Sequence, residues 1–303
     1  MRLRTQFQSI SLKYPYFKRV VAYFLFFIFV SLFFVVARFP ADSLVPLIKH
    51  AVSSNTPFKV AFSESSFMFP PGFMLKNITL LEPLPTKNRQ IITLDSLTLK
   101  PSIISAFFGK PSATLSAKML GGSFDFYGET ETGDTGDIIK TNFTLNNIDP
   151  GRALFWNDFP WAKLNGVING EGNINFSFEN PIKNSGGKIT LNMGKGNLSI
   201  AKAILPDAQA ISLSKGEAIV SIKSGVIFLE KCEITGAEVT VALTGTIVMA
   251  QLAQNSRLGL TASIKLRGKL KEKLAPFTSF FKKDKTGATM IKIGGTLASP
   301  AAR

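Results

Sequence analysis

Beyond residue 53 the chain alternates apolar and polar positions with a period of two. In "ATLSAKM", Ala113, Leu115, Ala117 and Met119 face one way, and Thr114, Ser116 and Lys118 the other. "IKTNFTLN" sets Ile139, Thr141, Phe143 and Leu145 against Lys140, Asn142, Thr144 and Asn146. "GNINFSFE" is stricter, with Ile174, Phe176 and Phe178 opposing Asn173, Asn175, Ser177 and Glu179. "RLGLTASIKLRG" gathers Leu258, Leu260, Ala262, Ile264 and Leu266 on one side. Side chains of a strand point alternately to its two faces, so this pattern predicts antiparallel sheet with one dry face and one wet. Glycines at Gly121-Gly122, Gly170, Gly186-Gly187, Gly194, Gly216, Gly225, Gly236 and Gly245 recur about every ten residues and predict turns between about a dozen short strands.

A few segments leave this rhythm. "SESSFMFPPGFMLKNITLLEP" (63–83) places a Pro-Pro-Gly corner before a short apolar strand that a further proline closes. In "LDSLTLK" the phase slips at Asp95-Ser96, from Ile92 and Leu94 to Leu97 and Leu99, which predicts a β-bulge. "PSIISAFFG" (101–109) reads as a two-turn helix between Pro101 and Gly109. Two further helical interruptions are expected over 149–161 and 270–281. No solenoid-type repeat stands out, and no linker rich in Pro, Gly or Ser divides the chain after residue 38.

Val20 to Ala37, "VVAYFLFFIFVSLFFVVA", is 18 residues without a charge. At about 1.5 Å per helical residue it spans roughly 27 Å, close to the hydrocarbon thickness of a bilayer. Tyr14, Tyr16 and Phe17 precede it as interfacial anchors, and Arg2, Arg4, Lys13, Lys18 and Arg19 stand before it with no acid among them. The positive-inside rule then places residues 1–19 in the cytoplasm as a basic tail, 20–37 in the membrane, and 38–303 across it. A cleavable signal peptide is the competing reading, since "VVA" at 35–37 has small residues at both recognition positions, although the run exceeds the usual apolar core of such peptides. Asp42 to Ser53 reads as a short juxtamembrane helix with Pro46 in its first turn. The expected fold is therefore mainly β: a curved, predominantly antiparallel meander sheet with a few short helices, preceded by one N-terminal transmembrane helix.

Composition narrows the chemistry. Hydrophobic residues make up 45% and Phe alone counts 27, so ample apolar surface is available for burial. Five of the basic residues behind the net charge of +15 belong to the N-terminal tail, which leaves about +10 spread over the rest. The single cysteine, Cys232, excludes an intrachain disulfide and a cysteine metal cluster, and its setting in "GVIFLEKCEITG" suits a small buried hydrophobe. The single histidine, His50, has no triad or metal-ligand partners near it in sequence. The acidic stretch with Glu129, Glu131, Asp134 and Asp137 lacks the spacing of a calcium loop and reads as a hairpin tip. Asn77, Asn142, Asn175 and Asn197 begin N-x-S/T sequons; they are glycan acceptors in a secretory eukaryotic setting and wet-face residues in a bacterium. These features predict a non-enzymatic protein without cofactor or metal.

Between Arg257 and Lys292 ten basic residues meet only Glu272 and Asp284. Two readings are open: a solvated strand face with a loop, or an interfacial patch. In the second, Lys269, Lys271, Lys273, Lys282, Lys283 and Lys285 pair with anionic lipid or a partner while Phe277, Phe280 and Phe281 dip among headgroups. No nucleic-acid-binding motif appears, and nucleic acid is not an expected partner.

"LDSLTLKPSIISAFFGKPSATLSAKMLGGSFDFYG", "NNIDPGRALFWNDFPWAKLNGVINGEGNINFSF", "SKGEAIVSIKSGVIFLEKCEITGAEVTVALTGTIVMA" and "GGTLASP" together resemble the type II secretion system protein N family (GspN), related in pattern to AsmA-like proteins. The resemblance covers most of residues 20–300 and rests on Gly, Pro and alternation. It implies a single-pass inner-membrane protein whose bulk lies in the periplasm, acting through contacts with other type II secretion subunits in protein export. The AsmA-like side implies an alternative: a protein that binds or transfers phospholipid with the apolar face of a curved sheet as its groove. Neither supplies catalytic residues.

Overall fold

The computed structural model describes residues 59–68, 72–83, 88–133, 136–157, 162–177, 180, 182–200 and 210–302, with residues 20–24, 26, 27, 30, 46 and 50 also described, as helical. Most of the predicted anchor and of the helix over 42–53 lies outside the described residues. No helix among the described residues is long and apolar enough to cross a membrane.

The described chain is one antiparallel meander sheet. Its strands are β1 (Lys59–Ala61), β2 (Glu64–Met68), β3 (Gly72–Glu82), β4 (Arg89–Ser102), β5 (Ser112–Met119), β6 (Gly122–Gly133), β7 (Gly136–Ile148), β8 (Ala162–Ser177), β9 (Gly186–Ile200), β10 (Ile211–Lys223), β11 (Val226–Gly236), β12 (Val239–Val248), β13 (Arg257–Leu266), β14 (Thr289–Gly295) and β15 (Pro300–Ala302). From β3 onward each strand pairs with its successor, and β1 and β2 lie end to end along β3. The sheet does not close on itself. Helix α1 (Ile103–Phe107) links β4 to β5, and α2 (Gly268–Thr278) links β13 to β14.

Local chemistry explains the connections. Leu120-Gly121 and Ser224-Gly225 join their strands as two-residue turns, each with both residues at positive φ (51° and 79°; 47° and 80°). That is the mirror-image turn whose twist matches paired strands. The bulge expected at Asp95-Ser96 is present, because β4 and β5 pair Leu94 with Met119 and then Ser96 with Lys118, leaving Asp95 over. β2 pairs with β3 so that Met68 stands opposite Gly72, and Pro70 and Pro71 of the predicted corner lie outside the described residues. The acidic segment is a hairpin whose strands pair up to Gly133 and Gly136.

Other expectations need correction. The strands number fifteen and reach 16 residues in β8, so they are longer than the glycine spacing predicted. Gly170, Gly194, Gly216 and Gly245 are not turns but lie inside strands. The first predicted helix begins only at Ile103, because Pro101 and Ser102 still pair with β5. Within 149–161 the helical interruption takes the form of two short 3-10 helices, Pro150–Arg152 and Leu154–Asn157, and residues 158–161 lie outside the described residues. Asp149 caps the first by accepting from Gly151 N–H at 3.0 Å.

The in-strand glycines make room. A Cβ on Gly172 would lie 2.6 Å from the Phe143 ring, so the ring rests where a side chain would stand. At Gly122, beside the Leu120-Gly121 turn, a Cβ would lie 2.2 Å from the backbone oxygen of Asn146. A ring can swing aside but a paired backbone cannot. Gly122→Ala is therefore expected to lower stability by about 2 kcal/mol or more, and Gly172→Ala by about half that, in urea unfolding of the full chain.

Candidate functional site

Residues directly opposite in an antiparallel pair share a face, so the register can be followed across the sheet. One transverse row begins at the β2 edge with Phe67, Phe73, Leu99, Leu115, Phe126 and Phe143. It continues through Gly172, Ile189, Val220, Leu229, Gly245 and Leu260 to Ile293 and Ala302 at the other edge. Fourteen strands contribute one residue each, and none of the fourteen carries a polar side chain. At about 4.8 Å per strand the row is roughly 60 Å long.

The rows on either side repeat the pattern. Towards one end run Pro101, Ala113, Gly128, Thr141, Ile174, Gly187, Ile222, Ile227, Ile247 and Leu258. Its only polar member, Thr141, is 2% exposed and donates its hydroxyl proton to the Ile174 carbonyl at 2.7 Å, so it presents no unmet polarity. Towards the other end run Ser65, a polar residue at the β2 edge, and then Leu75, Leu97, Ala117, Phe124, Leu145, Gly170, Leu191, Ala218 and Cys232. Phe124 packs its ring 6.3 Å from that of Phe126 and 6.0 Å from that of Phe143. Cys232 is half-buried among these side chains, and desolvation pushes its thiol above the ordinary range. It behaves as a small hydrophobe and not as a poised nucleophile.

The opposite face is wet. One of its rows reads Lys100, Thr114, Tyr127, Asn142, Asn173, Lys188 and Ser221. Cross-strand pairs lace it together: Lys76 with Glu64 at 2.8 Å, Lys231 with Glu217 at 2.8 Å, and Lys140 with Glu131. The Lys140 ammonium holds the Glu131 carboxyl below the usual carboxylate range by hydrogen bond and charge, and Lys231 does the same to Glu217. Of the acids of the predicted hairpin, Glu129 accepts from the Tyr127 hydroxyl and Asp137 from the Thr132 hydroxyl, and Asp134 lies outside the described residues. A shallow hollow of about 280 Å³, lined by Asn142, Thr144, Glu171, Asn173, Lys188 and Thr190, lies on this face. Among the described residues no group of His, Cys, Asp and Glu could hold a metal ion.

What covers the dry face decides what it can do. Among the described residues, buried apolar side chains form two clusters, and Ala117, Ile222 and Leu260 of the rows are buried outside them. Phe73, Leu75 and Ile78 form one cluster near the β1–β4 edge. Met193, Ile211, Leu213 and Val239 form the other, beneath Leu270 and Leu274 of α2. Between them the members of the long row, from Leu115 through Phe126, Phe143, Ile189 and Val220 to Leu229, are half-buried, shielded by lateral neighbours. Leu99 is 40% exposed. The strands' other contacts are with flanking strands and with the 3-10 turns that lie against β4 and β8. Among the described residues, the dry face is thus a broad apolar surface closed at its two corners, with no second layer over its middle.

The basic candidates fall together on α2 and the loop after it. Leu270 packs down at 5% exposure while Lys269, Lys271 and Lys273 face outward. Phe280 is 87% exposed, Phe281 is half-buried, and Lys282, Lys283 and Lys285 lie on the exposed loop. Asp284 organises that loop by accepting from the Thr286 hydroxyl at 2.8 Å, from Ala288 N–H at 2.9 Å and from Thr286 N–H at 2.8 Å, which together hold its carboxyl below the usual range. Phe277 lies within α2. Sequence reasoning found this patch but missed the transverse rows. Comparison of the chain with protein families, with curated proteins and with solved structures finds no match.

Proposed function

We propose that the protein binds the acyl chains of membrane lipid on the dry face of its sheet, curved into a groove, and thereby carries or shelters them beside the membrane that its N-terminal apolar segment enters. The supporting observation is the fourteen-residue apolar row left uncovered at its middle. An exposed apolar surface of this extent marks a binding surface on a soluble domain, and an unbranched hydrocarbon needs only continuous apolar contact without directional partners. Three neighbouring rows, spaced about 7 Å apart along the strands, give a strip wide enough for more than one chain.

The test is photo-crosslinking of the full chain in vesicles containing phosphatidylglycerol with a diazirine in its acyl chain, followed by peptide mapping. Adducts are expected on dry-face residues of β5 to β11. Adducts confined to residues 20–37 would overturn the reading.

A second reading, service in the type II secretion machine, is favoured by one feature. Among the described residues, no strand pairs beyond β1 and β2 at one lateral edge of the sheet or beyond the fully exposed β15 at the other. Open edges offer unpaired backbone groups to a partner strand. In a cell with that machine, deleting the gene should reduce export of its substrates. Unchanged export would remove this reading and leave the first standing.

A further inference from the structure

Helix α1 is built inside out. Its ends are well held: Ser105 N–H donates to Ser102 Oγ at 3.3 Å, the Ser105 and Ser112 hydroxyls lie 2.7 Å apart, and Lys110 N–H donates to the Ser105 carbonyl at 2.9 Å. Yet the helix buries no residue. Ile103, Ile104, Phe107 and Phe108 are 61%, 74%, 86% and 75% exposed, and the two rings meet edge to face at 5.8 Å. A polar frame fixes a segment that holds four large apolar side chains out in water.

The position adds to this. α1 follows Pro101 and Ser102 at the sheet end where Val248, the last residue of β12, and Leu252 and Leu297 of the connections there are also 46%, 60% and 49% exposed. At the opposite end, among the described connecting residues, Phe280 alone is a large apolar side chain of comparable exposure. β1 also starts at that opposite end, with Lys59 facing Leu81, so the chain from the N-terminal apolar segment arrives there. Lys100 and Lys110 are exposed at the α1 end, whereas Lys118 lies at the opposite end beside the Leu120-Gly121 turn, and Asp95 and Asp125 bound this stretch in sequence. The nearest acids across the sheet are engaged, Glu129 with Tyr127 and Glu131 with Lys140.

We propose that α1 is a membrane-inserting tip, with Ile103, Ile104, Phe107 and Phe108 seated in the headgroup–acyl boundary of an anionic bilayer and Lys100 and Lys110 beside the phosphates. A short projecting apolar knob framed by lysines suits an interface of headgroups. It is too small to supply the roughly 800 Å² per partner of a stable protein–protein contact. Insertion stands independently of the lipid reading above. What rests on that reading is its consequence: the row from Pro101 and Ala113 begins at the foot of α1, so an inserted tip brings the bilayer to the open end of the strip.

The test uses the full chain with Cys232→Ala, carrying an NBD label at Ile104→Cys, reconstituted in phosphatidylglycerol–phosphatidylcholine vesicles. The expected result is blue-shifted emission quenched by doxyl-labelled lipids, reduced several-fold in phosphatidylcholine alone and lost with Phe107→Ser and Phe108→Ser together. A label at Phe27→Cys reports reconstitution. Water-like, unquenched emission at 104 with quenching at 27 would overturn the proposal. So would a disulfide joining two Ile104→Cys copies without quenching, because it would place a second copy over the tip. Quenching at 104 without lipid adducts on the sheet would uphold insertion and reject the groove, so the two ideas fail separately.

Discussion

Leu270→Asp should detach α2 and unfold the end of the sheet beneath it, at a cost of about 3–5 kcal/mol in urea unfolding. α2 has little to hold it besides Leu270 and Leu274. Its eleven residues include Pro276, and Arg267 at its N-cap offers no side-chain hydrogen bond to the first turn. A helix this short is marginal in water and takes its stability from packing. Leu270 supplies that packing at 5% exposure, against Met193, Ile211, Leu213 and Val239 from β9, β10 and β12. Aspartate in that cavity loses the apolar contact and buries a charge with no partner. Lys271→Ala, on the exposed side of the same helix, should change stability by less than about 0.5 kcal/mol. Equal effects from the two substitutions would mean that α2 does not cap the sheet.

The two faces were legible in the sequence because alternation is a local property. Each run that predicted a dry side does place it on one face: Ala113 to Met119 in β5, Ile139 to Leu145 in β7, Ile174 and Phe176 in β8, and Leu258 to Leu266 in β13. The bulge at Asp95 was legible for the same reason, as a phase slip within one strand. The transverse row was not. It depends on the register of every pair, which is set by two-residue turns such as Leu120-Gly121 and by shifts such as those at Leu145/Ile148 and Ile219/Val220. No window of sequence contains that information. Glycine was misread because its two uses look alike in a sequence. Gly121 and Gly225 adopt positive φ in turns, whereas Gly170 and Gly172 clear space for Leu191 and Phe143 within the face. The exposure of α1 was also hidden, because "SIISAFF" suits a buried helix equally well until the surface is known.

Val220→Glu should separate fold from function. Val220 sits at the middle of the long row, half-buried between Ile189 and Leu229, and no second layer among the described residues packs over it. A carboxylate there can lean into water past its neighbours, so the expected loss of stability is only about 1–2 kcal/mol. A hydrocarbon chain laid along the row would bury that carboxylate, and this is a far greater penalty than folding incurs. Photo-crosslinking of lipid to the sheet should therefore fall by about tenfold or more, the equivalent of at least about 1.4 kcal/mol in affinity, while adducts on residues 20–37 persist. The same substitution at Leu75, 3% exposed within the β1–β4 cluster, should instead abolish cooperative unfolding. If Val220→Glu unfolds the protein as Leu75→Glu does, the dry face closes upon itself in solution and a packed core takes the place of the groove. Retained fold with undiminished crosslinking would place the lipid elsewhere. Only an open face carries a charge in water and refuses it beneath a lipid.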